Sequence, residues 1–84
     1  MQESVEDKVK KVVVKVLKVD PERIKPTARF AADLGAESIQ SVELVAAFEE
    51  EFDISMDEDE ALAVETVGDA VTYIGKCIRE QQEI

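Results

Sequence analysis

Val5, Val9, Val12, Val13, Val16 and Leu17 recur at intervals of three and four residues near the start of the chain. That spacing lays a single apolar stripe along a helix, and such a stripe needs other elements to cover it. The run Val12-Val13-Val14 is β-favouring and would suit a strand. Against a strand stand Ser4 as a helix cap, Glu6 and Asp7 in the first turn, a lysine-rich opposite face, and a length of about three to four turns. The reading is therefore a helix, and it must end by Pro21.

The rest of the chain supplies the cover. Residues 19–37 form a long connection punctuated by Pro21, Pro26 and Gly35. A loop of this length needs anchors in the core, and Ile24, Phe30 and Leu34 are the candidates. A second helix is predicted from Ser38 to Phe52, with Leu44, Val45, Phe48 and Phe52 inward. Ser55 to Ala63 reads as a short acidic third helix. Thr66-Val67-Gly68-Asp69 resembles a capping box with Asp in the usual Glu place. It opens a last helix to about Arg79 that buries Val67, Ala70, Val71 and Ile74. Cys77 is expected on or near that packed side, and the tail from Glu80 to Ile84 is expected to fray. The expected fold is all-α: a small antiparallel four-helix bundle of three main helices, one short helix and a long first loop, forming a single domain over residues 1–84.

A chain of 84 residues buries about 60–65% of its unfolded surface, which leaves little room for a walled active site. It has no His and one Cys. Ser-His-Asp catalysis, His-based metal sites and an internal disulfide are thereby excluded. The acids lie along helix surfaces rather than across a cleft, so paired-carboxylate chemistry has no support. An EF-hand starting at Asp57 fails at Ala61, Leu62 and Gly68, and one starting at Asp53 fails at Glu58 and Val64. No metal site and no enzyme activity are expected. No segment is apolar for the ~20 residues that a membrane crossing requires, and no signal-peptide layout is visible. A reducing, cytoplasmic location, a monomer and no stable membrane insertion are the expectations.

Charge is unevenly placed. Residues 1–29 carry eight basic groups against five acids, a net of +3, whereas residues 30–84 carry two against fifteen, a net of −13. Such a field repels nucleic acid and favours partners with basic faces.

The segment Asp33-Leu34-Gly35-Ala36-Glu37-Ser38-Ile39-Gln40-Ser41-Val42-Glu43-Leu44 closely resembles the signature of the acyl carrier protein family, in which Gly-Ala-Asp-Ser-Leu precedes an acidic amphipathic helix. The similarity continues through Val45, Glu49-Glu50-Glu51-Phe52 and Ile54 to Thr66-Val67-Gly68-Asp69-Ala70 and Tyr73-Ile74, and more loosely over the first helix and the Val19-Asp20-Pro21 turn. The resemblance implies a non-catalytic carrier. Ser38 would receive 4′-phosphopantetheine from coenzyme A through a phosphopantetheinyl transferase, and acyl intermediates of fatty acid or related specialised lipid or polyketide biosynthesis would ride on the arm as thioesters. A helix start suits an attached phosphodiester, because its backbone N–H groups and dipole favour negative charge. Ser41 is the competing attachment site, but it falls inside the helix and outside the motif.

The resemblance further implies docking of acyl-processing enzymes with basic faces on the second helix and the start of the third. Apolar contact would come from Ile39, Val42 and Ala46, and charge from Glu37, Glu43, Glu49, Asp59 and Glu60. An acyl chain would shelter around Phe30, Leu44, Val45, Phe48, Leu62 and Val71. The sequence departs from the family at three places. Glu37 replaces Asp and caps a helix less well, Ile39 replaces Leu and is stiffer, and Gln40 stands at a commonly acidic position. These departures suit a specialised carrier. A peptidyl or D-alanyl carrier is the nearest alternative, and an acidic helical adaptor for basic partners is the alternative from another class.

The −13 balance of residues 30–84 generates a prediction. Self-repulsion subtracts from the stability of so small a fold, and salt at about 0.15 M screens it over about 8 Å. Thermal melts in low and high NaCl should therefore show Tm rising with salt. A falling Tm would mean that the basic residues of 1–29 already neutralise the acidic helices.

Overall fold

The computed structural model describes residues 4–82. Four helices follow in order: α1 Val5–Leu17, α2 Ser38–Phe52, α3 Glu58–Leu62 and α4 Val67–Gln82, with a 3₁₀ turn at Pro21–Arg23. Together they form the small all-helical bundle expected. α1 packs on α2 and α4, and α2 on α3.

α1 begins as the sequence indicates, with the Ser4 hydroxyl accepting from the Asp7 N–H. It stops before Pro21, at Lys18, whose φ of 56° is left-handed and whose N–H donates to the Val14 carbonyl. Val9, Val12 and Val13 are buried, while Val5, Val16 and Leu17 pack half-buried at the margin. The β-favouring valines are thus accommodated in a helix by what they bury, which outweighs a propensity difference of a few tenths of a kcal/mol each. At the α1–α2 contact the Lys8 ammonium lies 5.8 Å from the centre of the Phe52 ring.

The three loop anchors, Ile24, Phe30 and Leu34, are all buried. The loop is stitched to the α3–α4 connection by a single antiparallel bridge between Arg29 and Thr66. The Phe30 N–H donates to the Glu65 carbonyl at 3.0 Å, and the Val67 N–H to the Ala28 carbonyl at 3.0 Å. Backbone that would otherwise be buried without partners is satisfied in this way.

The third helix is shorter than expected. It covers Glu58–Leu62 rather than starting near Ser55, with Asp57 as its cap accepting from the Glu60 N–H. The Ser55 carbonyl, which a helix starting there would offer to the Asp59 N–H, accepts from the Gln81 amide instead. The last helix is longer than expected and runs to Gln82, because Gln81 is tied to Ser55 through both its amide atoms. Of the tail expected to fray, Glu83 and Ile84 lie outside the described residues. Thr66 caps α4 by accepting from the Asp69 N–H. Val67, Ala70, Ile74 and Cys77 are buried, whereas Val71 is half-buried.

Two glycines in α4 differ in what surrounds them. A Cβ on Gly68 would lie 2.9 Å from the Pro26 carbonyl oxygen, which also accepts the Gly68 N–H at 2.8 Å. A Cβ on Gly75 would meet nothing within 4 Å. Alanine is the better helix former by about 1 kcal/mol, so Gly75→Ala should stabilise by about 0.5–1 kcal/mol. Gly68→Ala should destabilise by about 1–3 kcal/mol despite the same propensity gain, because main chain must move aside. Denaturant melts of the two variants test this, and equal effects would deny the close approach.

Candidate functional site

The loop before α2 is built to deliver its first turn to the surface in one position. The Asp33 carboxylate accepts from the Arg29 N–H at 2.8 Å, and the Asp33 carbonyl accepts from the Arg23 guanidinium at 2.8 Å. The Ala36 N–H then donates to the Phe30 carbonyl at 2.8 Å and closes the turn. Gly35 sits inside that turn with φ +72°, a conformation that a side chain would strain. The aspartate and glycine of the motif therefore position the serine that follows.

Ser38 is the first residue of α2 and is exposed. It is not the cap. Glu37 holds that place with extended backbone, and its N–H donates to the Gln40 side-chain oxygen at 3.0 Å. Gln40, which from sequence looked like a lost partner contact, thus supplies the reciprocal half of a capping box. The Ser38 hydroxyl is left without a capping task. The first intrahelical bond runs from the Ser41 N–H to the Glu37 carbonyl at 2.9 Å. The N–H groups of Ser38 and Ile39 are consequently without an intrahelical acceptor at the positive end of a fifteen-residue helix, while the Gln40 N–H is taken by the Glu37 side chain. A phosphodiester on Ser38 fits this environment, with no acid in the first turn of the helix itself. Ser41 is half-buried and lines a cavity instead.

That cavity, about 50 Å³, lies between α2, α3 and α4. Phe30, Leu44, Val45, Phe48 and Leu62 line it, as do Met56, Ala61, Val64, Ala70 and Tyr73. Val71 does not. The helix phase places Ala70 and Tyr73, three residues apart, on the face toward the cavity, and Val71 packs half-buried against the core beside them.

Exposed apolar side chains gather near Ser38. Ile39 is 68% exposed, Val42 49% and Leu62 43%, and Ala46 is exposed as well. Of the acids expected beside them, Glu37, Glu43, Asp59 and Glu60 are exposed. Glu49 is half-buried, with one oxygen accepting the Met56 N–H at 2.8 Å, so it holds the α2–α3 connection as well as carrying charge. Glu60 accepts from the Tyr73 hydroxyl at 3.2 Å, and that hydroxyl accepts from the Asp57 N–H at 3.2 Å. The sequence marks Tyr73 only as part of the family pattern, because one aromatic at a helical spacing gives no signal of what its hydroxyl meets.

The comparisons with known proteins agree with this geometry. The family described as phosphopantetheine attachment site matches residues 7–74. The chain is 52% identical over 68 residues to the acyl carrier protein of Caulobacter vibrioides, covering 81% of this chain and 87% of that one. The acyl carrier proteins of Phenylobacterium zucineum and a Sulfurovum species match at the same identity and length, with 86% and 91% of their chains covered. The chain belongs to the acyl carrier protein family. A solved structure assigned as an acyl carrier protein from Mycobacterium tuberculosis superposes with a TM-score of 0.81 at 27% identity, covering 87% of this chain and 97% of that one. Membership implies a covalently attached 4′-phosphopantetheine group and a carrier rather than a catalyst. Carriers of this family meet a transferase and acyl-processing enzymes. Among the described residues no helix is long and apolar enough to cross a membrane.

Tyr73 offers a spectroscopic test of the α3–α4 contact. Burial pushes its phenol up from about 10 to about 12; Cys77 and Glu60 push the same way, and the Asp57 N–H pulls against them. The folded state therefore favours the protonated phenol. Its contribution to stability is complete below pH 10 and is lost as pH rises toward 12. Tyr73 is the one tyrosine and the chain has no Trp, so phenolate absorbance reports it alone. The folded protein should titrate well above the value in denaturant, and coincident midpoints would deny the contact.

Proposed function

We propose that Ser38 carries the 4′-phosphopantetheine arm and that the protein presents acyl thioesters to enzymes of fatty acid or related specialised lipid or polyketide biosynthesis. The observation that supports this best is the division of labour at the start of α2. Glu37 and Gln40 close the cap, which leaves an exposed hydroxyl beside N–H groups without an intrahelical acceptor and with no structural role of its own. The arm's terminal thiol supplies the thioester. The chain's own residues place the attachment point, offset the phosphate charge with backbone donors, and offer a cavity one turn away.

Docking follows from the same face. Ile39, Val42 and Ala46 form an apolar strip on α2, and Leu62 presents an exposed apolar side chain on α3. Acids border the strip, with Glu37 and Glu43 on one element and Asp59 and Glu60 on the other. A partner suited to this face has an apolar centre and a basic rim, which gives both a fast charge-steered encounter and a desolvated contact. The cavity walled by Phe30, Leu44, Val45, Phe48 and Leu62 would shelter the start of the acyl chain from water.

Incubation with coenzyme A and a phosphopantetheinyl transferase, followed by intact-mass measurement, tests the attachment. The protein should gain one phosphopantetheine, and Ser38→Ala should gain none while melting as the parent does. Modification of Ser38→Ala, or a peptide map placing the group on Ser41, would overturn the assignment.

A further inference from the structure

The cavity between α2, α3 and α4 has a closed end and an open end. Phe30, Leu44, Phe48 and Ala70 line it and are buried, whereas Leu62 is 43% exposed and Ser41 is half-buried. The more exposed members mark the mouth. Ser41 lies three residues after Ser38 on α2, less than one helical turn away. An arm on Ser38 that delivers its cargo to this cavity passes Ser41, with the thioester at the mouth and the far end of the chain among the phenylalanines. The volume of about 50 Å³ admits about three to five groups the size of a water. Cargo that fits the walls as they stand is therefore short, and the carbons nearest its thioester lie beside Ser41.

Two hydroxyls stand on this lining, and they differ in what they meet. Tyr73 accepts from the Asp57 N–H and donates to the Glu60 carboxylate, each at 3.2 Å. Ser41 does neither. A serine or threonine inside a helix can turn its hydroxyl back to the carbonyl four residues earlier, and Thr72 does so, donating to Gly68 at 3.1 Å. The corresponding carbonyl for Ser41 is that of Glu37, which accepts the Ser41 N–H at 2.9 Å. Among the described residues the Ser41 hydroxyl has no hydrogen-bond partner, and it is not sealed from solvent. Its partner is whatever occupies the mouth.

That makes the mouth selective. Cargo seated there displaces the solvent that satisfies the hydroxyl. A saturated chain returns nothing and leaves a polar group against methylenes. A chain with an oxygen at that level pairs with the hydroxyl, which satisfies both groups at once. Serine donates and accepts, so a ketone and an alcohol are served alike. We infer that Ser41 is a specificity-determining residue for the cargo: its hydroxyl pairs with an oxygen on the third carbon of short acyl groups, and the cavity shelters 3-hydroxyacyl and 3-oxoacyl thioesters in preference to saturated ones of equal length. This rests on the reading of Ser38 as the attachment point and of the cavity as the acyl site.

The test uses the phosphopantetheinylated protein and its Ser41→Ala and Ser41→Thr variants, each loaded with butanoyl, 3-hydroxybutanoyl and 3-oxobutanoyl groups. Thioester cleavage by hydroxylamine is compared between parent and variant for each load, so that the intrinsic reactivity of the load cancels. Ser41→Ala should speed cleavage of the two oxygenated thioesters about fivefold, the worth of one hydrogen bond, and leave the butanoyl thioester unchanged or slower. Ser41→Thr keeps the hydroxyl and should keep the parent's preference. Equal acceleration of all three loads would mean that the hydroxyl serves the arm or the helix, and the selectivity would be wrong. No acceleration of any load, with ring resonances of Phe30 and Phe48 still shifting on acylation, would overturn the role of Ser41 and leave the acyl cavity standing. If those resonances ignore every load, the cavity is not the acyl site and the selectivity falls with it. Failure of Ser41→Ala to accept the arm would move the attachment to Ser41 and overturn both readings.

Discussion

Three main-chain hydrogen bonds tie the long first loop to the start of α4: Phe30 N–H to Glu65, Val67 N–H to Ala28, and Gly68 N–H to Pro26, all between 2.8 and 3.0 Å. A connection of this length has a large entropy to lose, and three apolar anchors alone would leave its polar backbone buried without partners. The bridge resolves both demands. It seats Phe30 as a wall of the cavity and brings the main chains close enough that Gly68 has no room for a Cβ. It also sets where the chain enters the turn of Asp33 and Gly35, and so where α2 begins.

From that turn onward the polar side chains act as spacers. Asp33 closes the loop, Gln40 the start of α2, Glu49 the connection to α3, and Gln81 and Tyr73 the distance between α3 and α4. Each gives one or two backbone or side-chain groups a defined partner, worth about 1 kcal/mol net. The ordered first turn that results presents Ser38, and the apolar core behind it holds no buried polar side chain among the described residues. A strongly acidic surface is compatible with this arrangement because several of its carboxylates are engaged in building the loops.

The helices were legible in the sequence because their signals are local. Ser4, Thr66 and the three- and four-residue apolar spacing act within a few residues of one another, and the main core positions of α1, α2 and α4 follow from them. The candidate serine was legible too, through an ordered motif whose Gly35 needs a left-handed backbone. By itself the sequence therefore determined the helix order, the three loop anchors, the acidic half and the candidate serine.

The tertiary structure decided what depends on partners distant in the chain. α3 starts at Glu58 rather than Ser55, and Gln81, twenty-six positions away, takes the Ser55 carbonyl that a longer helix would use. Ala70 and Tyr73 line the cavity and Val71 does not. Glu49 and Tyr73 gained roles that no spacing announces. The physical reason is the same in each case: a hydrogen bond between side chain and backbone across the bundle has no period along the chain, so it comes into view only when the helices are in place.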